Sequence, residues 1–157
     1  MAITGVVSIA PMNNDMREVV LGCEDFGLGK PLDECGNKKL GRLGEELASL
    51  YLESMGMEVL ERNWSCSFGE VDIIGEQDGR LVMVEVKLRV VGQGDSDVAP
   101  ELAVDYRKQN RYRKLALMYL SRQTRFDSIR FDVVGVRLMN EREAQLRHYV
   151  GAYEWDD

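Results

Sequence analysis

Apolar residues change their spacing along this chain, and each change predicts an element. Leu43, Leu47, Leu50 and Tyr51 recur at steps of three and four with Ala48 and Leu52 beside them, which predicts an amphipathic helix from about Leu40 to Met55, stopped by Gly56. Met57 to Trp64 then reads as a strand, Gly69 to Gly75 as a second, and Leu81 to Arg89 as a third, the most apolar run of the chain. Gln77-Asp78-Gly79-Arg80 between the last two is a hairpin turn signal. Gly92, Gly94, Asp95 and Asp97 mark a loop over Val90 to Ala99. Pro100 suits the first turn of a long helix running to Ser121, whose expected buried side carries Leu102, Tyr106, Gln109, Tyr112, Leu115, Ala116 and Tyr119. Ile129 to Leu138 and Gln145 to Val150 complete the strands, with Arg142 in the turn between them and a Tyr153-Glu154-Trp155 tail that packs back.

Residues 1–38 lack a sustained period. Their glycines, Pro11 and Pro31 predict an irregular N-terminal extension, broken by a short helix over Met16 to Leu21, ahead of a folded domain at 39–157. Helix, three strands, helix, two strands is an α/β order with a mixed central sheet flanked by helices. With 157 residues, 45% hydrophobic and 30% charged, the chain suits one globular core, and no apolar run is long enough to span a membrane. Cys23, Cys35 and Cys66 form no paired metal-binding spacing, which favours reduced thiols and a cytoplasmic protein. The lone His148, late in a strand, reads as a packing or surface residue.

Charge changes this picture at two places. Asp72, Glu85 and Lys87 fall inside predicted strands, where charged groups are unfavourable without a partner. Pairing the strands symmetrically about Asp78-Gly79 sets Asp72 directly opposite Glu85, and Lys87 shares the Glu85 face because strand side chains alternate. Two facing carboxylates repel. A divalent cation such as Mg²⁺ or Mn²⁺ relieves that repulsion, since these ions take oxygen ligands and complete their shells with water and phosphate. A neighbouring ammonium then orients a water or neutralises charge on phosphate. The plain alternative is an exposed sheet face with ordinary ion pairs. The second place is the late helix: residues 104–125 carry seven basic side chains and one acidic one in a chain of net charge −7. Arg107, Lys108, Arg111 and Lys114 follow helical spacing and make a candidate phosphate-facing stripe, against the alternative of a solvated helix face.

Taken in order, Gly44-Glu45, Arg62-Asn63-Trp64, Gly69-Glu70-Val71-Asp72-Ile73-Ile74, Val84-Glu85-Val86-Lys87-Leu88-Arg89, Lys108-Gln109 and Arg130-Phe131-Asp132-Val133-Val134 resemble the bacterial YraN-like (UPF0102-type) family. That family is assigned to the PD-(D/E)xK nuclease superfamily and is similar to archaeal Holliday-junction resolvases. The resemblance covers roughly residues 40–153. It implies a restriction-endonuclease-like α-β-β-β-α-β core. It further implies Asp72 and Glu85 as catalytic metal ligands, Glu45 as a helix-borne acid near the metal, Lys87 as the catalytic cation and the Val86 carbonyl as a further ligand. The Lys108-Gln109 match places both residues at the site edge, and Arg89 and Gln109 are expected with the stripe as nucleic-acid contacts. The proline that precedes the aspartate in the superfamily is Val71 here. The expected function is a Mg²⁺- or Mn²⁺-dependent DNA endonuclease, with branched or recombination DNA as substrate and a two-fold dimer favoured by the resolvase similarity. The alternatives are a non-catalytic nucleic-acid-binding module on the same fold and a protein-interaction domain.

Overall fold

The computed structural model describes residues 3–13, 16–92, 106–123 and 125–153. Helix α1 spans Asn37–Ser54 and buries Leu40, Leu43, Leu47, Ala48, Tyr51 and Leu52 along one side. It ends as the sequence predicts. Gly56 takes φ +89°, and the Gly56 and Met57 amides bond the Glu53 and Leu52 carbonyls, a Schellman closure that a residue with a Cβ would strain. Strands β3 (Glu58–Cys66), β4 (Gly69–Gln77) and β5 (Arg80–Val90) follow. Asp78 and Gly79 both take positive φ between β4 and β5, the demand of a type I′ hairpin turn. Helix α2 spans Tyr106–Leu120. Strands β6 (Ile129–Leu138) and β7 (Glu143–Tyr153) come last, with Arg142 in their turn.

The N-terminal segment departs from its expected form. Ile3–Asn13 is strand β1 and Met16–Cys23 is strand β2, so neither an irregular tail nor a helix over Met16 to Leu21 is present. Val19, Leu21 and Cys23 alternate onto the core, and β2 pairs antiparallel with β7 from Met16 to Gly22. Three alternating apolar residues beside Gly22 are too short a run to outweigh the surrounding glycines in a reading of sequence alone. The segment joins the same sheet as the rest of the chain.

Seven strands make that sheet, in the order β1-β2-β7-β6-β5-β4-β3. All neighbours are antiparallel except β5 and β6, whose parallel pairing is bridged by the α2 crossover. Helix α1 covers one face over Ile73, Val82, Val84, Val134 and Val136. Helix α2 covers the other over Ile74, Leu81, Met83 and Phe131. The run from α1 to β6 is thus an α-β-β-β-α-β restriction-endonuclease-like core, with β1, β2 and β7 extending its sheet. Central strands β5 and β6 are buried on both faces, which explains their near-continuous apolar sequences.

One detail corrects the sequence reading. Tyr106, expected on the buried side of α2, is 66% exposed, whereas Tyr112, Leu115, Ala116 and Tyr119 do form that side. Leu102, most of the Val90 to Ala99 loop and the Pro100 helix start lie outside the described residues, as do Glu154 and Trp155. Tyr153 stacks on Phe131 at a centroid distance of 4.8 Å.

Candidate functional site

The β4–β5 ladder runs in the register set by its turn, from Gln77 opposite Arg80 to Ile73 opposite Val84. The next pair in that register is Asp72 with Glu85, and there the recorded pairing stops. Asp72 Oδ2 instead accepts the Val86 N–H at 2.8 Å, so a side chain takes the main-chain donor of the neighbouring strand. β4 meanwhile stays paired with β3, and Asn63, which falls opposite Asp72 in that ladder, takes φ +52°. Asparagine tolerates this left-handed conformation better than most residues. Face alternation breaks here. Val71 and Ile73, expected on one face, lie on opposite ones: Val71 under α2 and Ile73 under α1. The sheet therefore opens at Asp72.

Asp72 is an unusual carboxylate. Burial pushes its pKa up to about 7, the Val86 N–H works against that, and the charges of Glu85, Glu45 and Glu70 add to the rise. Beneath α2, Leu81 and Met83 are fully buried, Glu85 and Lys87 are half-buried and Arg89 is exposed, the alternation of β5 carrying all five onto one face. Lys108 Nζ donates to Glu85 Oε1 at 2.9 Å. The Tyr112 phenol lies near Glu85; burial, then the charges of Asp72 and Glu85, hold it protonated well above its usual range. Burial likewise raises Tyr153, with Glu85 nearby.

Helix α1 supplies the remaining acid. A Cβ on Gly44 would lie 2.8 Å from Leu88 Cδ1, so the helix sits hard against β5 at this glycine. Its neighbour Glu45 is half-buried and couples to Asp72 through charge, whereas Glu46 is exposed. Among the described residues no three carboxylate, imidazole or thiol groups gather as a metal cage. Glu45 stands near enough to Asp72 for its charge to act on that carboxyl, and Glu70 is exposed at the rim. The donor set still suits a hard divalent cation. Mg²⁺ needs only one or two protein carboxylates, and a half-buried carboxyl that feels the charge of three other acids is relieved by positive charge.

The predicted basic residues separate. Arg107, Arg111 and Lys114 are exposed on α2, Arg89 is exposed on β5, and Gln109 is half-buried. Lys108, placed by sequence in the phosphate-facing stripe, is engaged with Glu85 instead. Arg111 lies over the β3–β4 turn, its Cδ 3.2 Å from where a Gly69 Cβ would stand. Tyr112 and Tyr153 were missed as site neighbours; the helical period marks Tyr112 as buried but gives no sign that its phenol lies near Glu85.

A separate polar cluster lies under α1. Asp132, 1% exposed, accepts both an Arg130 fork and His148 Nε2 at 2.7 Å, while His148 Nδ1 lies 3.2 Å from the Tyr51 hydroxyl. The lone histidine is thus a buried packing residue tied into a network, and Asp132 is the structural acceptor expected of it.

Residues 44–136, from the α1 glycine to Val136 on β6, match the model of the uncharacterised protein family UPF0102. The chain belongs to the UPF0102 family. A UPF0102 protein of Mycobacterium sp. (strain JLS) is 39% identical over 124 residues, covering 77% of this chain and 90% of its own. One from Syntrophus aciditrophicus (strain SB) is 46% identical over 107 residues, covering 67% and 81%. The Ca²⁺-bound structure of Pyrococcus furiosus SfsA superposes only loosely, with a TM-score of 0.34 and 12% identity over 92% of this chain and 94% of that one. The UPF0102 match spans Glu45, Asp72, Glu85 and Lys87 and leaves out β1, β2 and β7. Among the described residues no helix is long and apolar enough to cross a membrane.

Proposed function

We propose that this UPF0102 chain is a PD-(D/E)xK-type endonuclease that hydrolyses phosphodiester bonds of DNA with Mg²⁺ or Mn²⁺. The observation that carries the reading is the opening of the β4–β5 ladder at Asp72, which turns a half-buried carboxylate of raised pKa towards Val86 beside Glu85. Proteins seldom retain such a like-charge arrangement without a functional reason. Asp72 and Glu85 would hold the ion, which when bound supplies Lewis acidity and a more acidic water. Lys87 stands on the Glu85 face, where an ammonium can orient a nucleophile or neutralise charge on phosphate. Glu45, on α1 and near enough for its charge to act on Asp72, would be the helix-borne acid beside the ion. Arg107, Arg111 and Lys114 hold the flanking phosphates from α2. Branched DNA, cut by a two-fold dimer, is the substrate form favoured by the similarity to junction resolvases.

One observation favours a second reading. Lys108 already neutralises Glu85 at 2.9 Å, as it would in a non-catalytic nucleic-acid-binding module on this fold. Cleavage of labelled junction, flap, linear and single-stranded DNA in Mn²⁺ separates the two. The nuclease reading expects Asp72→Ala, Glu85→Ala and Lys87→Ala each to lose on the order of a hundredfold or more in rate. Cutting that persists unchanged in all three variants sinks it. Salt-sensitive binding without cutting by the wild type selects the binding module.

A further inference from the structure

We infer that Phe68 is a stacking platform for an unpaired nucleobase near the scissile phosphate, so that the substrate carries single-stranded character beside the cut. The inference rests on the nuclease reading above and names its substrate class. Phe68 tops the β3–β4 turn and is 45% exposed. A lone exposed aromatic is ordinary; its surroundings are not. The turn is held in place, with the Phe68 N–H directed at Cys66 Sγ at 3.5 Å, Gly69 at φ +135° and Arg111 packed over that glycine. Lys114 Nζ stands 6.0 Å from the ring centroid. An exposed apolar ring is thus set in a turn that Arg111 covers at Gly69 and that Lys114 approaches at the ring, both cations coming from α2, the helix that also reaches Glu85.

This pairing of an aromatic face with backbone-neutralising charge is how single-stranded nucleic acid is gripped: the ring takes a base, and the cations take its phosphates. Phenylalanine has no polar edge, so it offers stacking without reading sequence. Asp72 lies four residue steps from Phe68 along the start of β4, a span of roughly 13 Å at about 3.3 Å per residue. A base at Phe68 would therefore lie a few nucleotides from a phosphate at Asp72. In an intact duplex that base is stacked and paired, and its face is closed to the ring.

The test compares a fully paired duplex with a flap bearing 2-aminopurine in its unpaired arm, using wild type, Phe68→Ala and Phe68→Trp. Binding is read in EDTA and cleavage in Mn²⁺. The expected result is quenching of 2-aminopurine by wild type and Phe68→Trp. Phe68→Ala should lose that quenching and roughly fivefold to a hundredfold in flap affinity, with duplex affinity moving less than about twofold. Equal behaviour of Phe68→Ala and wild type on both DNAs, with wild type cutting, overturns the inference and leaves the nuclease reading standing. Equal loss on both DNAs with a lowered melting temperature also overturns it, by showing a merely structural ring. Absence of any binding or cutting by wild type removes both readings together.

Discussion

Asp72 ties local backbone to chemistry, and its titration has a definite sign. The folded carboxyl keeps its proton up to about 7, chiefly through burial, against an ordinary value of 3.8. Below 3.8 both folded and unfolded chains hold the proton, and the contribution to stability is complete. As pH rises towards 7 the unfolded chain ionises first, so stability falls, by at most about 4 kcal/mol for a shift of this size. Asp72→Asn keeps an oxygen for the Val86 N–H and removes the buried charge. In metal-free buffer its melting temperature should change less between pH 5 and pH 8 than that of wild type, and it should exceed wild type at pH 8. Parallel pH profiles for the two proteins would refute the buried-charge account. The alignment behind this behaviour was legible in sequence, because Asp78-Gly79 demands a two-residue turn and the turn fixes which residues face each other. The opening of the ladder was not legible. It depends on Asn63 adopting positive φ and on a carboxylate displacing a main-chain acceptor, and neither leaves a mark in residue spacing. Helical period places Lys108 in the stripe and the Lys108-Gln109 motif places it at the site edge; in the fold its ammonium meets Glu85.

Elements position these groups through a few close contacts. Gly44 lets α1 approach β5 until Leu88 fills the space that a Cβ would take. Gly44→Ala should therefore destabilise by about 1–3 kcal/mol through overpacking, although alanine is intrinsically the better helix former. Leu88→Ala in the same chain should recover part of that loss, a coupling that urea denaturation of the single and double variants would measure. Additive losses would mean that the contact is not the cause. Beneath the same helix, Asp132 joins β6 to β7 by accepting from Arg130, His148 and the Gly151 amide. Burial raises its carboxyl, but the hydrogen bonds and charges of His148 and Arg130 outweigh that and leave it below its usual value. Its contribution is thus present above 3.8 and lost as pH falls through the lower folded value. Asp132→Ala strands a buried guanidinium, and a loss of about 3–5 kcal/mol is expected at neutral pH. A urea midpoint within error of wild type would show that the network carries no stability. Helices and central strands were readable here because α1 and β5 have long, strongly periodic or continuous apolar runs. β2 was not, since its pattern acquires meaning only when β7 lies beside it.

At the scale of the whole molecule, the core from α1 to β6 is flanked on one side by β7, which the sequence predicts as a strand, and by β1 and β2, which its glycines and prolines predict as an irregular extension. Val19 and Leu21 are buried, and Glu18 takes hydrogen bonds from Gln145 and Arg147. Deleting residues 1–23 should uncover that apolar face and leave β7 as a bare edge, giving loss of cooperative unfolding or aggregation in size-exclusion chromatography. An unchanged, monodisperse truncation would return the segment to the status of an appendage. Charge is the other global property. The chain carries net −7, yet the exposed side of α2 is basic, so binding of a polyanion depends on a local field working against a repulsive whole. Such binding should weaken steeply with salt, because each neutralised phosphate releases counterions and adds about 0.9 to the slope of log affinity against log salt for duplex DNA. Replacing Arg107, Arg111 and Lys114 together by alanine should lower the magnitude of that slope by roughly 2–3. Lys108→Ala should behave differently. Its ammonium is spent on Glu85, so its removal should leave the slope nearly unchanged while returning an uncompensated negative charge to the opening at Asp72. A Lys108→Ala slope reduced as much as that of a stripe residue would show that the ion pair dissolves on binding and that all four cations face the phosphates.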